Sequence, residues 1–175
     1  MAEIIHAFRP DHALFNVNLG AWPLFSIAEN TNFSTPVLKF DASTSEFCFW
    51  PFRAFRYPGS GDVSVDIDWY PDAGSTTGNV RWQAGLMAYT PNTDTGAFTT
   101  SVSPPTGVEI TANNLGATAR RLHRNTITIT AANNGGLALD DYANLRIARI
   151  GGNAFDTLTD DATLVAVALR YNDSA

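Results

Sequence analysis

Hydrophobic and polar residues alternate along two adjacent stretches in the first half of the chain. Between residues 62 and 70 every second side chain is hydrophobic, ending at Trp69, and residues 79–90 repeat the pattern around Trp82. Proline, aspartate and glycine in residues 71–78 separate the two stretches, as expected of a turn. A period of two is typical of strands that bury one face, so both strands are predicted to cover a second sheet.

Strand patterns recur along the chain from Pro36 onward. A short stretch at residues 137–142 is the one helical candidate, and the long connections at 91–106 and 151–162 disfavour a barrel of tight hairpins. Eight strands without long helices predict an all-β, eight-stranded antiparallel β-sandwich with jelly-roll topology. The predicted strands cover residues 36–40, 46–55, 62–70, 79–90, 107–112, 119–130, 143–150 and 163–171.

Two of these predicted strands contain an irregularity. Pro51 falls inside the strand at 46–55 and removes a backbone donor, so that strand is expected at a sheet edge or on a bulge. In the strand at 119–130, Leu122 and Ile127 are an odd number of residues apart, which predicts a bulge that changes the inward face.

Residues 1–35 contain many aromatic side chains but no regular helical or strand period. They are predicted to form an extended N-terminal arm, followed by the jelly-roll domain at residues 36–175. Terminal segments are usually disordered unless something holds them, so the arm is expected to pack either along its own domain or on a neighbouring subunit. We expect its assembly contacts to involve Phe8, Phe15, Trp22 and Phe25.

Composition and charge narrow the classes of partner. Hydrophobic residues make up 45% of the chain, which is typical of a folded protein. A net charge of -6 and a pI near 4.8 argue against nucleic acid, because phosphate binding needs concentrated positive charge. The sequence shows no hydrophobic run of about 20 residues and no signal-peptide pattern, so neither a membrane partner nor export is expected.

No sequence motif points to catalysis, a metal or a cofactor. The single cysteine, Cys48, lies in a hydrophobic run and is interpreted as a small core residue. His6, His12 and His123 are scattered and do not form a zinc set with it. There is no nucleophile elbow, P-loop or glycine-rich dinucleotide turn. The sequence therefore predicts a non-enzymatic protein without a cofactor.

Two groups of carboxylates could bind a metal or act on a glycoside. Asp66 and Asp68 lie two residues apart on one strand, on the face opposite the hydrophobic one, which favours a structural role on an outer face. Asp156, Asp160 and Asp161 lie in a polar loop, where they could bind calcium or form hydrogen bonds to the loop backbone.

Arginines and aromatic residues supply the remaining candidates for binding. Arg120, Arg121 and Arg124 form the basic cluster of the chain, which could contact an acidic partner or could mark a charged edge strand that resists wrong pairing. Trp50 and Tyr70 are out of phase with the hydrophobic residues beside them, so they could be exposed and stack on sugar rings.

Three segments together resemble small jelly-roll domains of tailed-bacteriophage structural proteins. They are LKFDASTSEFCFWPFRAF, the pair VSVDIDWY and STTGNVRW, and LRIARIGGNAFDTLTDDATLVAVALRYND. The resemblance covers about residues 36–172, and its motifs describe strands and turns rather than an active site.

The resemblance implies a non-enzymatic virion protein. Its expected role is a capsid decoration (cement) protein, made in the host cytoplasm, that binds the major capsid protein or other virion proteins as a homotrimer on the capsid surface. Two alternatives stay open: a tail-fibre or baseplate domain that binds a receptor, and a carbohydrate-binding β-sandwich module.

Overall fold

Ten β-strands and two short 3-10 turns make up the described part of the chain. The computed structural model describes residues 2–16, 20–29, 31–73, 77–96, 107–116 and 118–173, and no α-helix occurs in these ranges. The strands are β1 (Glu3–Phe8), β2 (Leu24–Glu29), β3 (Ser34–Phe40), β4 (Ser45–Arg53), β5 (Val63–Pro71), β6 (Asn79–Tyr89), β7 (Val108–Asn113), β8 (His123–Ile129), β9 (Tyr142–Ile150) and β10 (Ala162–Asn172).

The strands form two antiparallel sheets that pack face to face. One sheet has the order β2-β3-β10-β5-β8, with β1 also paired to β10, and the other has the order β4-β9-β6-β7. The eight strands from β3 to β10 thus form two interleaved four-stranded sets, the arrangement of a jelly roll. The predicted antiparallel jelly-roll sandwich is confirmed, and β1 and β2 bring its described strands to ten.

The first 35 residues pack against their own domain where they are described. β1 pairs with the second half of β10, from Glu3 opposite Asn172 to Phe8 opposite Val167. β2 pairs with β3 along its full length. β2 lies at the end of its sheet with both faces partly exposed, so its sequence carries no clear alternation. The division into an arm and a domain at residue 35 stays a prediction.

Three tryptophans from the two sheets lie in the core. Trp69 on β5 and Trp82 on β6 are fully buried, with their rings edge to face and their centroids 6.1 Å apart. Their predicted place in the core is confirmed. Trp50 on β4 is 1% exposed and its Nε1 donates a hydrogen bond to Arg9 O at 2.9 Å. The prediction of Trp50 as an exposed sugar platform is therefore wrong.

Local backbone geometry corrects two other predictions. β8 begins at His123 and pairs with β5 without interruption, so the predicted bulge between Leu122 and Ile127 is absent. Arg120 has φ 55°, in the left-handed region, which ends any extended run before β8. Residues 137–142 are not helical, because Asp140 also has a positive φ of 63° and β9 begins directly afterwards.

Pro51 lies on an edge strand, as predicted. β4 is the terminal strand of the four-stranded sheet, and its outer edge carries isolated bridges to Leu14 and Ala21. A bulge does occur in the fold, but in β10, where the register with β5 shifts between Leu164 and Ala166. Within the described ranges, no helix has the length and hydrophobicity that a membrane span requires.

Candidate ligand-binding face

A hydrogen-bonded row of polar side chains crosses the outer face of the four-stranded sheet. Arg146 on β9 donates from Nη2 to Gln83 Oε1, and Gln83 Nε2 donates to Glu109 Oε1 at 2.9 Å. Arg81 donates from Nε to Glu109 Oε2 at 3.0 Å and from Nη1 to Thr111 Oγ1 at 2.8 Å. We call this set, Arg81, Gln83, Glu109, Thr111 and Arg146, the polar row.

Strand register explains why these side chains meet. On β6, Val80, Trp82 and Ala84 point into the core, so Arg81 and Gln83 must point outward. Gln83 lies opposite Glu109 on β7, and Arg81 lies opposite Thr111. The bonds Gln83–Glu109 and Arg81–Thr111 therefore join direct cross-strand neighbours, which are about 5 Å apart, and the other two join diagonal positions, which long side chains can span.

Two glycines leave space around the row. Gly85 lies directly opposite Arg146 and presents no side chain to it. Gly107 lies so close to Gln83 that a Cβ at this position would overlap with the Gln83 side chain. The backbone of Gly107 is not in the left-handed region, so its proximity to Gln83 is the constraint at this position.

Aromatic rings border the polar row. Phe47 on β4 lies opposite Ala148 on β9, which in turn lies opposite Gln83 of the polar row. Since Ala148 has a small side chain, the Phe47 ring borders the row on the β4 side. Phe155 is 62% exposed and its ring centroid lies 5.5 Å from the guanidinium carbon of Arg81. Tyr142, at the start of β9, is 38% exposed. We call Phe47, Tyr142 and Phe155 the aromatic border.

The charges of the row are largely satisfied within it. The side chains of Arg81 and Glu109 are 22% and 31% exposed and form an ion pair at 3.0 Å. Burial lowers the pKa of Arg146, but an arginine stays protonated at neutral pH. The row thus presents fixed donors and acceptors rather than a strong net field, which suits a neutral ligand rich in hydroxyl groups.

Asp66 and Asp68 lie on the opposite outer face, that of the six-stranded sheet. Asp68 forms a bidentate pair with Arg124, at 2.6 and 2.7 Å, and Asp66 accepts hydrogen bonds from Thr126 at 2.6 Å and Arg170 at 2.9 Å. Among the described residues no group of three or more His, Cys, Asp or Glu side chains could hold a metal ion. The structural interpretation of Asp66 and Asp68 is supported by these pairs.

Asp156 makes loop hydrogen bonds, one of the two roles considered for it. Its carboxylate accepts hydrogen bonds from the Arg81 backbone N–H at 3.0 Å and from Arg149 Nε at 2.9 Å. Arg149 points into the core from β9 and is fully buried. Because buried Arg149 pairs with the Asp156 carboxylate, these hydrogen bonds explain the position of the carboxylate without a bound metal ion.

The basic cluster is divided by the fold. Arg124 lies on β8, which is the terminal strand of the six-stranded sheet, so the charged-edge interpretation fits its position. Arg120 and Arg121 precede the strand, and Arg120 Nε donates to Asp72 O at 2.7 Å. His123 points inward and is 4% exposed, with its ring 4.8 Å from that of Trp69. Contact of the arginines with a partner stays a prediction.

The predicted assembly contacts of the N-terminal segment differ in exposure. Phe8 is 9% exposed and packs edge to face against Phe52, with ring centroids 5.9 Å apart. Phe15, Trp22 and Phe25 are 37%, 46% and 45% exposed. Phe8 therefore belongs to the core of its own domain, and contact of the other three with a partner stays a prediction.

Sequence reasoning missed the polar row. The signal was present in β6, where Arg81 and Gln83 alternate with core residues, and in β9, where Arg146 does the same. Their connection could not be seen, because it depends on the register of β6 with β7 and β9. Tyr70, by contrast, is half-buried on the outer face of the six-stranded sheet and stays a candidate for sugar contact.

No family model and no curated protein matches the chain. Solved structures do match. The C-terminal CBM6 of LamC, a marine laminarinase from Zobellia galactanivorans, is 9% identical with a TM-score of 0.50, over 96% of this chain and all of that one. The chain has the fold of this module.

Two other solved structures are similar. A family GH115 4-O-methyl-α-glucuronidase with specificity for decorated arabinogalactans is 11% identical over 94% of this chain, with a TM-score of 0.51. The match covers 17% of that longer enzyme. A family 35 carbohydrate binding module from Clostridium thermocellum is 12% identical over 97% of this chain and 98% of that one, with a TM-score of 0.49.

The similarity to the CBM6 module corrects the predicted function. The capsid decoration role rested on motifs of strands and turns, whereas the whole fold matches a carbohydrate-binding module over its full length. The prediction of a cement protein is therefore wrong. The resemblance to bacteriophage domains, the trimer and the virion location have no observation that bears on them and stay predictions.

Proposed function

We propose that this chain is a non-catalytic carbohydrate-binding module that binds a glycan across the outer face of its four-stranded sheet. The observation that carries the proposal is the polar row with its aromatic border. The fold shared with the CBM6 of a laminarinase supports the same class of function.

The polar row offers the groups that sugar hydroxyls require. A guanidinium presents donors in a plane, a carboxylate presents acceptors, and a glutamine amide presents both. Neighbouring hydroxyls on a pyranose can therefore bond to Arg146, Gln83 and Glu109 in pairs. These side chains hold one another in place before a ligand arrives, so little conformational entropy is lost on binding.

The aromatic border supplies the apolar half of the interaction. The faces of a pyranose ring carry C–H groups that pack on an aromatic ring, and a large rigid ring contributes contact area at low entropic cost. Phe47 and Phe155 lie at different sides of the row. Four strands spaced by about 4.8 Å span about 14 Å, which is the scale of a short oligosaccharide.

Binding to a panel of soluble polysaccharides tests the proposal. Affinity electrophoresis would identify a ligand, and isothermal titration calorimetry with oligosaccharides from it would give the affinity of the wild type and of Gln83→Ala. We expect Gln83→Ala to weaken binding by about tenfold, equivalent to the loss of one or two hydrogen bonds. Thr128→Ala, on the exposed face of β8, is the matched control and should bind as the wild type does.

Two results would contradict the proposal. One is the absence of binding across neutral and acidic polysaccharides. The other is that every glycan found to bind does so equally well to Gln83→Ala and to the wild type, which would place all of the binding elsewhere.

A further inference from the structure

A second concave site lies on the outer face of the six-stranded sheet. It is a groove of about 470 Å³, within the range of small-molecule sites, and it lies on the other side of the sandwich from the polar row. One wall is the β2–β3 hairpin and the other is the turn before β8. Its lining includes Glu29, Phe33, Lys39, Tyr70, Asp72 and Arg120.

The floor of the groove follows from strand register. Thr163 on β10 lies between Lys39 on β3 and Tyr70 on β5, so the three side chains share one face. Tyr70 is half-buried, and Phe33 at the hairpin is 61% exposed. The groove thus contains two aromatic rings that a sugar could contact, one at its floor and one at its rim.

Charge is distributed unevenly along the groove. Lys39 Nζ lies 2.8 Å from Asp72 Oδ2, so these two charges neutralise each other. Arg120 donates to the backbone carbonyl of Asp72 at 2.7 Å, and it forms no ion pair with any described residue. Glu29 on β2 lies opposite Ser34, which is five residues before Lys39 on β3. The Glu29 carboxylate therefore lies toward the end of the groove that is farther from Lys39.

The backbone holds Arg120 in this position. Its φ of 55° lies in the left-handed region, which non-glycine residues rarely adopt. The turn places the exposed guanidinium of Arg120 beside Asp72, in the groove that Tyr70 also lines.

We propose that this groove is a second binding site for a sugar that carries a carboxylate, a uronic acid. The sugar ring packs on Tyr70 and its carboxylate accepts hydrogen bonds from the guanidinium of Arg120. An arginine matches a carboxylate with two parallel hydrogen bonds. Glu29 at the far end sets the orientation, because it repels a carboxylate bound there.

This site is independent of the proposed function of the four-stranded face. The two sites lie on opposite sheets and share no residue. A chain with both sites binds two segments of glycan, and linking two weak contacts raises the overall avidity without any new contact.

Titration of ¹⁵N-labelled protein with galacturonate and glucuronate oligosaccharides tests the second site. We expect these ligands to shift the backbone amide signals of Tyr70 and Arg120, and to bind at least tenfold more tightly than neutral oligosaccharides of the same length. Arg120→Gln should remove that preference, while Gln83→Ala should leave the affinity for the acidic oligosaccharides unchanged. Arg120 is exposed, so its substitution is not expected to unfold the protein.

The outcomes separate the two proposals. Equal binding of neutral and acidic sugars in the groove, or an unchanged affinity in Arg120→Gln, overturns the uronic acid site. Loss of the acidic ligand in Gln83→Ala but not in Arg120→Gln also overturns it and assigns that ligand to the four-stranded face. Raising the salt concentration should weaken uronate binding at the groove, and no salt effect would count against the ionic contact.

Discussion

The guanidinium of Arg149 and the carboxylate of Asp156 form an ion pair with no exposure to solvent, Nη2 to Oδ1 being 2.7 Å. Arg149 also donates to the backbone carbonyls of Phe40, Leu158 and Asp160, at 3.0, 2.7 and 2.8 Å. Its contacts with Asp156, Leu158 and Asp160 tie the loop after β9 to the sandwich, and its contact with Phe40 joins β9 to the end of β3. That loop carries Phe155, so the pair positions one ring of the aromatic border.

Breaking this pair should destabilise the protein strongly. Asp156→Ala leaves the Arg149 charge buried without its partner, which typically costs about 3–5 kcal/mol. We expect urea denaturation to show a fall of this size in the free energy of unfolding. Arg124→Gln removes an exposed pair with Asp68 and is the control, with a much smaller expected effect because the pair is in contact with solvent. Equal effects of the two substitutions would contradict this account.

The stability of the fold should depend on the protonation of Glu46. This residue is 9% exposed, and burial is the main cause that raises its pKa from an ordinary 4.5 to about 6, with Asp41 and Asp161 adding repulsion. The folded state therefore holds a proton that the unfolded state loses at lower pH. The stability from this group is fully present below pH 4.5 and is lost as the pH rises through about 6.

Substitution of Glu46 isolates this effect. The rise in the pKa of Glu46 corresponds to a decrease of about 2 kcal/mol in the free energy of unfolding as the pH rises from 4.5 to 6. Glu46→Gln can still accept the hydrogen bond from Asp41 N–H but cannot ionise. We expect it to flatten that part of the pH profile and to be the more stable protein above pH 6. Identical profiles from urea denaturation at several pH values would rule out this role.

Gly107→Ala should weaken glycan binding without unfolding the protein. An added Cβ overlaps with the Gln83 side chain, which must rotate away from Glu109 and Arg146. We expect an affinity about tenfold lower by calorimetry, from the loss of one or two ordered hydrogen bonds. An unchanged affinity would show that the position of Gln83 does not matter for the ligand.

Phe155 should contribute to affinity through its ring. Its side chain is 62% exposed, so Phe155→Ala should change the free energy of unfolding by no more than about 0.5 kcal/mol. It removes both the ring that a sugar could contact and the partner of the Arg81 guanidinium. We expect weaker glycan binding in Phe155→Ala and near wild-type binding in Phe155→Tyr. Equal loss in both variants would argue against a contribution from ring contact.

The sequence predicts those parts of the fold in which one face of a strand is buried throughout. Trp69 and Trp82 alternate with polar residues over long strands, so their place in the core could be derived. β2 escaped prediction because it lies at a sheet edge, where Phe25 and Ile27 stay half exposed. Trp50 was misplaced because β4 carries hydrophobic residues on both faces, and the core face proved to be that of Cys48, Trp50 and Phe52.

The candidate site was harder to predict than the fold. Gln83 and Glu109 are 26 residues apart in the chain, and their contact follows from a register that no local pattern encodes. Tyr70 could be selected because its phase on β5 alone placed it outside. The functional prediction failed for a related reason, since motifs of strands and turns describe how a chain folds and carry no information about its ligand.

The most direct measurement of the central claim is the response of the polar row to ligand. A ¹H–¹⁵N spectrum of the labelled protein, titrated with an oligosaccharide that it binds, reports on the side-chain amide of Gln83 and on the Nε–H groups of Arg81 and Arg146. We predict that these three signals shift together and saturate with one affinity. If a glycan binds and all three stay in place, the four-stranded face is not its site.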